Sequence, residues 1–242
     1  MTRHAIAAIL MLSLLGAASP SDESARLEYE VTAVKRKLFH VAPDGEHQLQ
    51  LGDRSYSGDE LRTGSRSSAD FAVPARAATF HIGSKTEFRL AHGQPGVLLE
   101  IDRGSVRAIF GPLSADDEGE RLIATPSAVL AVRGTEYGIE VQKDGDTSLT
   151  VFEGEVEIRT FDKPGTILRV PAGQATRIRR GRQPSAPWTH GVSPHDWDRG
   201  RRMESPAQGQ RQQQPGTPES GRSNSGGSRG QSSQGGSNRR GG

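Results

Sequence analysis

The chain has 242 residues, 31 basic and 29 acidic, for a formal charge of +2, and it contains no cysteine. Zero cysteine excludes a disulfide scaffold, a thiolate metal site, a cysteine nucleophile and a lipoprotein-type anchor. The charge is uneven: residues 27–183 carry 21 basic and 23 acidic groups, whereas residues 184–242 carry eight arginines against four acids, so the positive sign belongs to the tail.

Met1 to Ser19 reads as an export leader. Arg3 and His4 precede an apolar run from Ala5 to Leu15, broken only by Ser13, and Gly16, Ala17 and Ala18 supply the small residues of a cleavage site. Cleavage after Ala18 makes residues 1–18 a signal peptide. The run is far shorter than the roughly 20 residues a spanning helix needs. The expected location is therefore periplasmic or extracellular, without a membrane span.

From Leu27 the hydrophobic period is two. Leu27, Tyr29 and Val31 alternate with Glu28, Glu30 and Thr32. Val106, Ala108 and Phe110 alternate with Ser105, Arg107 and Ile109, and Tyr137, Ile139 and Val141 do the same with their neighbours. Leu149 and Val151 share one face, and Val156 with Ile158 follow a break at Glu153-Gly154-Glu155. Each run predicts a strand with one face toward a core. Asp44-Gly45, Asp144-Gly145 and Glu153-Gly154 mark reversals, while Gly64, Gly83, Gly104 and Gly173 mark other bends. Residues 27–183 thus predict a single all-β domain: a β-roll, a short β-solenoid or a sandwich. Ser114 to Glu120 is its acidic loop.

Residues 184–204 form a linker. Ser193 before Pro194 and Asp196 predicts a short helix, with Ser as cap and Pro at the first helical position. Trp197 then folds against the core, although Trp188 and Trp197 gripping a sugar is the sharper alternative. Residues 205–242 hold one apolar side chain, Ala207, among Gly, Ser, Gln, Arg, Pro, Asn, Thr and one Glu. Such a segment cannot bury enough surface to offset chain ordering and is expected to be disordered. It is a flexible spacer or has weak attraction to an anionic envelope polymer. It lacks the aromatics of nucleic-acid segments, and no nucleic-acid partner is expected.

Four motifs occur in order. Gly58-Asp59-Glu60-Leu61-Arg62-Thr63-Gly64 comes first, then Thr125-Pro126-Ser127-Ala128 leading to Val132-Arg133-Gly134-Thr135-Glu136-Tyr137. Glu153-Gly154-Glu155-Val156 and Ala172-Gly173-Gln174 complete the series. Together they resemble the FecR domain family over roughly residues 50–175. The resemblance implies an all-β extracytoplasmic domain. In the better understood members it follows a cytoplasmic anti-sigma region and one transmembrane helix, and receives a signal from an outer-membrane receptor. With a removable leader in that place, this chain resembles the stand-alone exported members. Read physically, Gly58, Asp59, Thr63 and Gly64 flank strands as turns, with Asp59 and Thr63 able to bond backbone amides. Thr125 and Pro126 end one segment before the Val129–Val132 strand. Arg133-Gly134-Thr135, ahead of Tyr137, places a charge between two apolar strands, with Asp59, Glu136, Glu153 or the carbonyls of a bend as its partner and a ligand carboxylate or phosphate as the alternative.

No catalytic constellation emerges: there is no G-x-S-x-G elbow, no phosphate loop and no H-E-x-x-H pair. The seven histidines show no ligand spacing, and Asp116-Asp117-Glu118 lacks the alternation of a calcium loop. No cofactor, metal or enzyme activity is expected. The sequence predicts an exported domain for protein interaction or envelope signalling, with an envelope protein as partner. A cell-wall or surface polysaccharide module is the alternative.

Overall fold

The computed structural model describes residues 26–91, 93, 95–112, 119–132, 134–161 and 167–200. The leader, most of the acidic loop, Arg133 and the 205–242 tail lie outside the described residues. In chain order the strands are β1 (Glu28–Lys35), β2 (Leu38–Ala42), β3 (Gly45–Leu49), β4 (Arg54–Tyr56), β5 (Glu60–Thr63) and β6 (Ser68–Val73). There follow β7 (Ala78–Ile82), β8 (Glu87–Leu90), β9 (Val97–Phe110), β10 (Arg121–Ala124), β11 (Ala128–Val132) and β12 (Glu136–Val141). The last are β13 (Thr147–Glu153), β14 (Glu155–Thr160), β15 (Ile167–Pro171), β16 (Gln174–Ile178) and β17 (Trp188–Thr189), before helix α1 (Pro194–Asp198). The fold is all-β, as the period-two runs predict.

The strands join in one continuous mixed sheet that folds over on itself at β9. One layer runs β4-β1-β6-β7-β9-β12-β13-β16-β17. The other runs β3-β2-β5-β8-β9-β10-β11-β14-β15. We call these the first and second layers. Every pairing is antiparallel except β9 with β10. Of the architectures the sequence leaves open, the ladders build a sandwich. Its core takes Tyr29, Phe71 and Phe80 from the first layer and Leu38, Leu61 and Phe88 from the second. Phe71 and Phe88 meet edge to face across it, with centroids 5.8 Å apart.

The corner in β9 follows from Gly104. Leu99 and Ile101 face the core before it, and Val106, Ala108 and Phe110 after it, so the inward parity changes at the bend. Gly104 has φ +104°, and the Ser105 N–H beyond it donates to the Thr86 hydroxyl at 3.0 Å. Only glycine adopts that φ at low cost. One strand therefore serves both layers.

A second apolar cluster of Val97, Leu122, Val129 and Ala131 sits on the second layer's outer side. Ile123 and Leu130 point the other way, into the main core. Strands β10 and β11 are thus apolar on both faces, which explains their unbroken hydrophobic runs.

Candidate functional site

The first motif builds turns at both ends of β5. Gly58 donates its N–H to the Leu90 carbonyl (2.7 Å), and the Asp59 carboxylate accepts the Tyr56 N–H (2.8 Å). His40 lies 3.6 Å from Asp59. At the other end the Thr63 hydroxyl donates to the Gly83 carbonyl and accepts the Thr86 N–H (3.0 Å). Gly64 bonds to the Lys37 carbonyl through its N–H (3.0 Å) and receives the Lys85 N–H at its own carbonyl (3.1 Å). Three turns are thereby tied together.

The remaining motifs also build corners. Thr125 is a buried hub whose hydroxyl accepts the Ala128 N–H (3.2 Å) and the Thr147 hydroxyl (3.1 Å). Pro126 lies against Gly145. Gly134, Thr135, Glu153, Gly154 and Gly173 gather at the opposite end of the sandwich. A Cβ on Gly154 would fall 2.6 Å from both the Gly134 carbonyl oxygen and the Thr135 methyl. The Ala172 N–H donates to the Gly154 carbonyl (2.8 Å), and the Gly173 N–H to that of Val151 (2.9 Å). Glu153 stands opposite Glu136 in the ladder. The motif residues therefore form two groups at different ends rather than one cleft.

Tyr137 is fully buried and stacks on Phe110 with centroids 6.0 Å apart. Burial pushes its phenol well above the ordinary range, and the hydroxyl has no hydrogen-bond partner among the described residues. Removing an unsatisfied buried hydroxyl relieves its desolvation. Tyr137→Phe is therefore expected to raise stability by about 1 kcal/mol, which urea unfolding measures. A loss of that size would show that the hydroxyl is satisfied.

The two tryptophans lie on the outer side of the first layer. Ser193 caps α1 by accepting the Asp196 N–H (3.2 Å), with Pro194 in the first turn, as the sequence predicts. Trp197 is 3% exposed and covers the bare backbone of Gly138, where a Cβ would lie 2.3 Å from the indole. Phe152 packs edge-on against both Trp197 and His190. Trp188, half-buried on β17 beside Ala175, keeps an indole N–H without an acceptor among the described residues.

Beside Trp197 a row of ion pairs spans four strands and α1. Arg107 bonds to Asp198 (2.9 Å) and to Glu136 (2.7 Å). Directly opposite Arg107 in the ladder, His81 on β7 pairs with Asp70, its partner on β6. Sequence reasoning passed over this pair. A hairpin turning at Pro74–Ala77 would have aligned the two residues. The hydrogen bond to Asp70 outweighs partial burial and raises the His81 pKa. A raised folded-state value stabilises fully below the unfolded histidine pKa of about 6.5. That contribution is lost as pH rises from there through the folded value. Asp70→Asn should lower the His81 titration midpoint in NMR and flatten this part of the stability profile. An unchanged midpoint would dismiss the pairing.

At the end of the second layer, β14 is the only ladder partner of β15 among the described residues. The Ala172 N–H bond to Gly154 sets the hydrogen-bond phase, and the register pairs Glu155 with Pro171. By alternation, Ile167, Arg169 and Pro171 turn their backbone groups away from β14. Pro171 has no N–H, which leaves those of Ile167 and Arg169 facing outward. Phe161 and Ile167 beside this edge are 52% and 50% exposed. Their exposure follows from edge position, which single-chain periodicity does not reveal.

Among the described residues, no group of three or more His, Asp or Glu is placed to hold a metal, and no helix is long and apolar enough to cross a membrane.

Corners tied by glycine turns, around one β core, define an all-β sandwich domain. The family model described as FecR protein matches residues 59–157, which bears out the resemblance over that stretch. Two solved structures, at 2.50 and 1.65 Å, of a protein from Parabacteroides distasonis ATCC 8503 described as a "putative anti-sigma factor" are similar at 15% identity and a TM-score of 0.43. Each match covers 54% of this chain and 59% of the solved chain, less than two thirds of its length. No curated protein matches the chain.

Proposed function

We propose that this chain is an exported, non-enzymatic FecR domain that mediates protein interaction in envelope signalling, with the β15 edge as its contact strand. The observation that carries the reading is the β15 edge itself. Two backbone N–H groups face away from the sheet beside exposed Phe161 and Ile167. An extended partner segment adds to such an edge through main-chain hydrogen bonds, with flanking apolar side chains giving selectivity. The polysaccharide alternative would rest on half-buried Trp188, because Trp197 is covered.

Arg169→Pro deletes one outward N–H without touching the ladder to β14. Capture from an envelope fraction should recover a partner with the natural chain and lose it with this variant at unchanged melting temperature. Equal recovery with both would remove the edge from the mechanism. Export is tested separately: cleavage after Ala18 predicts a mature chain beginning at Ser19 in the periplasmic or medium fraction.

A further inference from the structure

The slightly acidic balance of residues 27–183 conceals a separation of charge within the sandwich. Five connections meet at the end of the sandwich that holds the Gly104 corner. Lys37 donates its N–H to Ser67 in the β5–β6 turn, and Arg66 from that turn donates its N–H to Ser84 in the β7–β8 turn. Gly83 bonds to the Ser105 carbonyl beside the corner, and Gly104 pairs with Val141 at the end of β12. The Arg180 N–H then reaches Asp146 in the β12–β13 turn.

These connections are basic. The β1–β2 turn presents Lys35, Arg36 and Lys37, all exposed, and the next two turns add exposed Arg66 and Lys85. Lys143 follows in the β12–β13 turn, and Arg179, Arg180 and Arg182 follow β16. Against nine cations, the connections themselves carry only Asp144 and Asp146. Arg179 approaches Asp146 at 3.9 Å, and no carboxylate lies within ion-pairing distance of the other eight cations among the described residues. On the sheet faces, by contrast, Arg54, Arg62, Arg89, Arg103, Arg107, Arg159 and Arg169 all have carboxylate partners.

Backbone conformation gives a second, independent observation. Arg36, Arg66 and Lys85 have φ of +70°, +55° and +55°, three of the five non-glycine residues with positive φ among the described residues. Glycine occupies that region without steric cost, so cations are held there against local preference. Retained strain of this kind points to a role for the side chain.

We infer that this end of the sandwich is a binding stripe for a linear, flexible, phosphate-bearing polymer that lacks stacking bases. The connections are distributed along successive strand positions from β1 to β16. At a strand spacing of about 4.8 Å, the stripe is roughly 30 Å long and about 10 Å wide. Neighbouring strands twist by roughly 20–25°, so the strand ends follow a curved path. A flexible chain can follow that path, whereas a flat bilayer touches only part of it. No aromatic side chain lies among the nine cations. Affinity would therefore come from charge and counterion release without base stacking.

The test uses the full chain with long-chain inorganic polyphosphate as probe. Parallel arms use oligo(dT) of equal charge and phosphatidylglycerol vesicles. Binding to polyphosphate should be steeply salt-dependent. Replacing Lys35, Arg36 and Lys37 with Glu should lower affinity more than tenfold at 50 mM salt and reduce the log–log salt slope by about 2. Arg179, Arg180 and Arg182 replaced with Glu should act similarly. The combined Arg36→Gly, Arg66→Gly, Lys85→Gly variant keeps the fold testable. Its melting temperature should hold or rise while its affinity falls. Affinity within twofold of the natural chain in that variant would overturn the proposal. So would tighter binding to oligo(dT), binding to vesicles alone, or charge reversals that abolish only self-association.

Discussion

Gly104→Ala is expected to destabilise the domain by roughly 3–5 kcal/mol, combining backbone strain with overpacking. A Cβ there would lie 2.4 Å from the Thr86 hydroxyl oxygen, 2.5 Å from Thr86 Cα and 2.7 Å from Thr86 Cβ. Thr86 is fully buried and cannot withdraw, because its hydroxyl also binds the Gly83 carbonyl at 3.0 Å. The φ of +104° adds a conformational cost that no rearrangement of neighbours removes. For a domain of this size the melting temperature should fall by roughly 10 °C. Since Thr86 Cα is one of the clashing atoms, shortening the Thr86 side chain should not restore stability. A loss below about 1 kcal/mol in urea unfolding would mean that β9 does not turn at this residue.

The same glycine shows what periodicity can reveal. Strand runs in the second half of β9 and in β12, β13 and β14 alternate because one face fills the core with apolar side chains and the other carries mostly polar or small ones, even where α1 covers it. Gly104 is visible as a break, but not as the point where one strand changes layers. That role depends on β7 and β12 pairing on one side of the bend and β8 and β10 on the other. Strand β3 (Gly45–Leu49) has no apolar alternation because it is a largely exposed edge. The motif glycines were legible as turns, since their chemistry is local. The meeting of Gly134 with Gly154 was not, because it requires the antiparallel register of β12 on β13. Likewise, a net of −2 over residues 27–183 gives no hint that cations converge on one end. Chain connectivity, rather than composition, brings those turns together.

The outer cover of the first layer yields a prediction whose sign can be reversed. Trp197→Ala should remove about 3 kcal/mol, the lower end of the cost of truncating a buried tryptophan. It should also free Asp198 from Arg107 and raise hydrogen exchange along β12. Gly138→Ala in the natural chain should cost about 1–3 kcal/mol, because the new methyl would overlap the indole placed 2.3 Å away. Once Trp197 is alanine, that obstacle is gone and only strand preference remains. There alanine exceeds glycine by about 0.5–1 kcal/mol, so the same substitution should stabilise. The double-mutant cycle should therefore show a coupling of roughly 2–3 kcal/mol. Additive effects would mean that Trp197 does not rest on Gly138 in solution. Coupling of the expected sign would establish that the C-terminal segment belongs to the folded domain through residue 198, well past the 183 boundary that the β pattern alone suggests.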